Sequence, residues 1–250
     1  MLSKLISAGP PRVSDALFRA EGVCSGYGRG DIVSDVDVSI APGSIMTIIG
    51  PNGAGKSTFI KTVAGVVKRR IGKIMIDGHD VGGLEPSEVS RHAIAYVPQE
   101  HNVFRSLSVT ENLEMGAWIA PRHFRKRMAT VLDIFPALRT LTKQKAGNLS
   151  GGQRQMVAFG MAIMVEPKLL LLDEPSVGLS PAMMEQMFGA IRQVRERGIA
   201  ILMVEQSAVQ ALRISDFGMV MAAGRVALTA PASELLNNHE VADLYLGTRE

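Results

Sequence analysis

Hydrophobic and polar positions change rhythm several times along the chain. Short apolar runs suited to strands fall at residues 17–24, 36–40 and 44–49, and Ala41-Pro42-Gly43 supplies the turn between the last two. The third run leads into a glycine-rich loop. After it, 56–67 reads as a helix, 73–76 as a strand, and 93–97 as a further strand ended by Pro98. This alternation predicts an α/β domain.

Between residues 99 and 148 the apolar positions recur at helical spacing instead. Ser108-Val109-Thr110-Glu111 fits a capping box that opens a helix running to about residue 119, and a second helix follows Pro121. Gly147 closes this helical insert, placed at about 100–150. Strand-like runs return at 169–172 and 200–204, with a helix over 181–197 between them. Late in the chain a hairpin over 219–221 and 225–228 turns at Ala222-Ala223-Gly224, and 233–236 and 240–246 read as short helices. Residues 1–16 hold Gly9-Pro10-Pro11 and no apolar periodicity, which predicts a flexible extension ahead of one domain spanning 17–250. No internal repeat or low-complexity tract is visible.

Composition narrows the class. A chain of 250 residues, 46% hydrophobic and 20% charged, can bury a sizeable core in one or two domains, which excludes disordered and fibrous classes. Residues 38–55 carry no charge, but Pro42, Gly43, Gly50, Pro51, Asn52 and Gly53 break any helix that could span a membrane there. Only Leu5 and Ile6 separate Lys4 from Ser7-Ala8-Gly9-Pro10-Pro11, too little for a secretory signal, so a cytoplasmic protein is expected. The single cysteine, Cys24, is expected to pack as a small hydrophobe. The net charge of +3 gathers partly in Lys68-Arg69-Arg70 and Arg122-His123-Phe124-Arg125-Lys126-Arg127, each either solvated surface or a face for anionic lipid headgroups or an acidic partner. The five histidines show no metal-ligand spacing with each other or with Cys24, which argues against zinc.

Gly50-Pro51-Asn52-Gly53-Ala54-Gly55-Lys56-Ser57 satisfies G-x-x-x-x-G-K-[ST] between a strand and a helix, the context in which such a loop binds phosphate. Glycines let backbone N–H groups turn onto phosphate oxygens, the helix N-terminus adds its positive dipole end, and Lys56 brings a full charge to the β- and γ-phosphates. Ser57 is placed to hold Mg²⁺. Downstream, Leu169-Leu170-Leu171-Leu172 forms a buried strand that delivers Asp173 and Glu174 at its C-terminal end, the edge where open α/β sheets bind ligands. Asp173 is expected to support Mg²⁺, and Glu174 to orient or deprotonate the water attacking the γ-phosphate, which points to a hydrolase. Leu149-Ser150-Gly151-Gly152-Gln153 precedes an apolar helix with Ser150 as its N-cap. Two glycines at a helix start cost stability, which points to close approach of something such as phosphate. The methionines, including Met156, Met161 and Met164 on that helix, read as core filler.

With these pieces in order, the chain resembles the ATP-binding cassette (ABC) ATPases over nearly all of residues 17–247. Gly50–Ser57, continued by Thr58, matches their Walker A, the LSGGQ pentapeptide their signature, and Leu169–Glu174 their Walker B. The resemblance implies a P-loop NTPase fold, a RecA-like α/β core with an antiparallel β subdomain and an inserted helical subdomain. It implies that Tyr27 stacks on adenine and that Gln99 is the Q-loop glutamine reaching Mg²⁺. In that family two cassettes clamp two ATP molecules head to tail, so Ser150, Gly151, Gly152 and Gln153 would serve ATP on the partner's Walker A. Two departures stand out: Ser180 occupies the D-loop position usually held by aspartate, and Gln206 replaces the switch histidine. Together with Asn102-Val103-Phe104 and the terminal Leu244-Tyr245-Leu246-Gly247, they make the chain similar to an ATPase subunit of branched-chain (hydrophobic) amino acid importers. Urea and short-chain amide importers share much of this pattern, and exporters or lipid transporters are the next alternative. The implied partners are a second, non-identical cassette, two membrane-spanning permease subunits and, indirectly, an extracytoplasmic solute-binding protein. The implied location is the cytoplasmic face of the membrane, and no nucleic acid partner is expected.

Overall fold

The computed structural model describes residues 16–238 apart from Arg29 and Ala120. The flexible extension expected over residues 1–16, the helix expected at 240–246 and Leu244–Gly247 thus lie almost wholly or wholly outside the described residues.

Two sheets organise the chain. The smaller is antiparallel, with strands β1 (Phe18–Ser25), β2 (Val33–Ile40), β4 (Arg69–Ile76) and β5 (His79–Asp80) in the order β2-β1-β4-β5. The larger holds β3 (Ile45–Ile49), β6 (Ile94–Val97), β7 (Leu169–Asp173), β8 (Ala200–Val204), β9 (Phe217–Ala222) and β10 (Arg225–Pro231). Its order is β10-β9-β3-β8-β7-β6, parallel throughout except for the β9–β10 hairpin. Every residue of β3, β7 and β8 is buried, as parallel strands covered on both faces require.

Strand alternation splits the interior into two cores separated by this sheet. Leu169, Leu171, Ile48 and Leu202 pack with Phe18 and Ile74 of the small sheet and with Phe59 and Ile60 of helix α1 (Lys56–Val63). Leu170, Leu172, Ile201 and Met203 face the other way, onto the helical insert and onto α5 (Gly151–Ile163) and α6 (Pro181–Glu196). The four-leucine run is therefore shared by both cores, and each leucine gains roughly 1.5–3 kcal/mol from burial. The insert comprises α3 (Val109–Gly116) and α4 (Phe124–Ile134) with short 3₁₀ turns around them. Ser108 and Glu111 form the expected capping box. The helix stops at Gly116 rather than 119, where α3 crosses α5 so closely that a Cβ on Gly116 would lie 2.4 Å from the Met161 carbonyl oxygen.

Some short elements carry no periodicity: β5, α2 (Pro86–Arg91), opened by a Glu85/Glu88 capping box, and α7 (Ala208–Leu212). The remaining helix is α8 (Ala232–Asn237). The basic clusters are partly internal. Arg69 pairs with Asp80 and donates to the Gly72 and Gly82 carbonyls, Arg70 pairs with Asp31, and buried Arg127 donates to the Met164 carbonyl and pairs with Glu166. Cys24 is half-buried rather than enclosed, its Sγ accepting the Asp35 N–H at 3.3 Å. Among the described residues no helix is long and apolar enough to cross a membrane.

Candidate active site

The phosphate loop begins where β3 leaves the core. Gly50 has φ 144°, and a Cβ there would sit 2.1 Å from the Met221 carbonyl oxygen, so a glycine is needed for β3 to turn beneath β9. Gly55, also at positive φ, is the N-cap of α1 and gives it no side-chain cap. Pro51, Asn52 and Gly53 are exposed, Ala54 is buried, and the cavity of about 430 Å³ at this turn is walled by Asn52 through Thr58 together with Ile32 and Glu174. Lys56 is buried against the loop, its Nζ donating to the carbonyls of Gly50 at 2.8 Å and Pro51 at 3.0 Å. Burial lowers its pKa, while Glu174 and Asp173 act in the opposite direction.

Two acids meet this loop from the end of β7. Asp173 is buried, and its Oδ1 accepts the Ser57 hydroxyl at 2.8 Å. Its Oδ2 accepts the Tyr96 hydroxyl at 3.1 Å and lies 3.9 Å from Lys61 Nζ. Glu174 stands at φ 50°, a strained backbone for a non-glycine residue, with its N–H bonded to the Val204 carbonyl at 2.9 Å. Its Oε2 accepts Gln99 Nε2 at 3.1 Å. Partial burial and then the neighbouring Asp173 charge raise its pKa, with Lys56 and Lys61 opposing. A carboxylate pushed upward beside a phosphate cradle suits a proton acceptor. A hydroxyl, a carboxylate and a nearby amide offer the hard oxygen ligands that Mg²⁺ takes alongside substrate phosphates.

The signature residues lie elsewhere. Ser150 caps α5, its Oγ accepting the Gln153 N–H at 3.2 Å while Gln153 Oε1 accepts the Ser150 N–H at 3.0 Å. A Cβ on Gly151 would meet no atom closer than 4.0 Å, whereas one on Gly152 would lie 2.4 Å from Met183 Cε, the movable end of a flexible side chain. A second cavity, about 510 Å³, is walled by Gln99, Asn102, Gly151, Arg154, Gln155 and the turn around Gly178. The Gln99–Glu174 hydrogen bond thus joins residues that wall different cavities. Within one chain, the phosphate loop and the signature share neither.

Three expected residues sit differently from the rest. Tyr27 is 56% exposed on the β1–β2 loop, and it is Ile32 from that loop that walls the phosphate cavity. Gln206 is exposed at the end of β8, outside that wall. Ser180 caps α6, its Oγ accepting the Met183 N–H at 3.4 Å, a task serine and aspartate perform about equally well. Two residues escaped the sequence reading. Tyr96 is one, placing the only side-chain hydroxyl of β6 on Asp173. Glu205 is the other, and it had a signal: it follows the apolar strand β8 as Glu174 follows β7, at the same edge of the sheet.

Comparison with known proteins agrees with this geometry. Residues 33–177 match the model of the ABC transporter family. The chain is 43% identical over 222 residues to the high-affinity branched-chain amino acid transport ATP-binding protein BraG of Pseudomonas aeruginosa, covering 88% of this chain and 95% of that one. It is 39% identical to the probable branched-chain amino acid transport ATP-binding protein LivF of Archaeoglobus fulgidus, covering 92% of this chain and 99% of that one. Among solved structures, the ADP conformation of MJ1267, an ATP-binding cassette of an ABC transporter, superposes with TM-score 0.81 at 27% identity, covering 93% of this chain and 99% of that one. The chain belongs to the ABC transporter family as one of its ATP-hydrolysing cassettes.

Proposed function

We propose that this cassette hydrolyses ATP to drive an importer of branched-chain, hydrophobic amino acids. The observation that carries the reading is the Ser57–Asp173 hydrogen bond, which joins the phosphate loop to the acidic end of β7 and sets Glu174 on the wall of the same cavity. The loop 50–58 seats the ATP phosphates, with Lys56 leaving the Gly50 and Pro51 carbonyls to meet the β- and γ-phosphates, and Tyr27 stacks on the base. Ser57, Asp173 and Gln99 would hold Mg²⁺, which would supply positive charge beside the phosphates. Glu174 orients a water and accepts its proton as the water oxygen bonds to the γ-phosphorus and the bond to ADP breaks. Gln206 offers an amide donor to the γ-phosphate in place of a histidine; it stays uncharged and takes up no proton.

Ser150, Gly151, Gly152 and Gln153 act on ATP held by a second, non-identical cassette. Two permease subunits anchor the pair to the cytoplasmic face of the membrane, supplied by an extracytoplasmic solute-binding protein. Likeness to BraG and LivF over nearly the whole chain supports the amino acid cargo. The test is affinity purification of tagged chain from detergent-solubilised native membranes with mass identification of what accompanies it. Recovery of two multi-span chains and a second cassette is expected, with a solute-binding protein that takes leucine, isoleucine and valine in preference to urea. Recovery with nucleic acid or ribosomes and no membrane chain overturns the reading.

A further inference from the structure

Glu205 is a carboxylate in the interior that the mechanism above leaves unused. It is 1% exposed, and four donors converge on it. Its Oε1 accepts the Ser176 N–H at 2.9 Å; its Oε2 accepts the Ser176 hydroxyl at 2.8 Å, the Gln206 N–H at 3.1 Å and the Ser207 N–H at 3.3 Å. Its own N–H donates to the Ile48 carbonyl at 3.2 Å, on the strand that runs into the phosphate loop. One side chain therefore grips two loops. The first leaves Glu174 and runs through Ser176 to Ser180, and the second carries Gln206.

Burying a carboxylate is costly, and here burial raises its pKa despite the four donors. A neutral side chain would fill the same space at lower cost. An ionised carboxylate differs in being an acceptor on both oxygens, so it can satisfy donors from two directions at once. We propose that Glu205 is a positioning residue for ATP hydrolysis, clamping the Glu174–Ser180 loop and the Gln206–Ser207 segment into one unit. The inference rests on the roles given above to Glu174 and Gln206.

Glu205→Gln tests it with little change of shape. The amide must turn its NH₂ either to the Ser176 N–H, which leaves the Ser176 hydroxyl as the one hold on the first loop, or to the Oε2 position, where the Gln206 and Ser207 N–H groups then face a donor, so one grip is weakened in either case. In the assembled complex purified from membranes, the variant is expected to lower kcat about tenfold or more, as loss of alignment does, with KM for ATP within about twofold of the parent. Hydrogen exchange supplies a readout that simple loss of stability does not give. In the parent, a non-hydrolysable ATP analogue should slow exchange in peptides covering 174–180 and 204–210 together; in Glu205→Gln the two responses should separate. Ser176→Ala, which removes only the hydroxyl donor, should show the same split to a smaller degree and guards against misfolding of the first variant. Parental kcat and a joint exchange response in both variants overturn the inference, as does a fall in kcat, nucleotide binding and melting temperature in step. If Glu174→Gln and Gln206→Ala themselves keep full turnover, the underlying mechanism fails; if they lose it while Glu205→Gln does not, only the clamp fails.

Discussion

The N-termini of α1 and α5 are both glycine-rich helix starts, and they are finished differently. At α1 the N-cap is Gly55, no side chain caps the first turn and no acid stands in it, so the free N–H groups and the positive end of the dipole are left for an anion. At α5 the reciprocal Ser150–Gln153 box uses such groups within the chain, and only Gly151 is left in the open. The first end is supported from beneath by Asp173 and Glu174, whereas the second has no acid or lysine on the wall of its cavity apart from Glu100. The difference teaches a division of labour. The α1 end can do chemistry on a phosphate, and on the function proposed above the α5 end completes a site whose chemistry lies on another chain.

Substitutions can break or sharpen that contrast. The largest effect is expected from Glu174→Gln, which keeps shape but removes the proposed proton acceptor. Phosphate release by the complex should fall at least about 100-fold while ATP binding, followed by a fluorescent analogue, stays near the parent. Lys56→Ala attacks binding at the same end. Losing a charged partner of the phosphates should weaken nucleotide affinity by roughly tenfold or more, read by the same titration. Away from the α1 end the effects on this chain's own fold and nucleotide should be smaller. Ser150→Ala removes an N-cap and should cost about 1 kcal/mol in denaturant unfolding, with nucleotide affinity of this chain's own loop unchanged. Ser180→Asp should be the mildest, shifting stability by no more than about 0.5 kcal/mol, because both residues cap a helix and the charge suits its N-terminus.

Much of the chemistry was written locally. The phosphate loop, the Asp173-Glu174 pair and the Ser150 cap all depend on neighbours within a few positions, and the structure places them as their sequence context implies. The uncharged runs ending at Ile49, Leu172 and Val204 were legible as strands because both faces are covered. Other features depend on distant partners and left no local mark. α3 stops early where it crosses α5 at Met161, and β4 starts four residues before the expected 73, at Arg69, where its backbone pairs with Ser25 of β1. Tyr96 and Glu205 acquire roles only when β6 and β8 flank β7.

The measurement that tests the division of labour most directly is photolabelling of the assembled complex with azido-ATP, scoring each cassette separately. Gly151→Asp is the informative variant, since open space around that glycine lets the side chain fit without disturbing the fold. This chain's own labelling should stay at the parental level while nucleotide trapping on the partner cassette is lost, and Lys56→Ala should give the reverse pattern. Loss of labelling on this chain itself in Gly151→Asp would place both helix ends on one nucleotide and contradict the account.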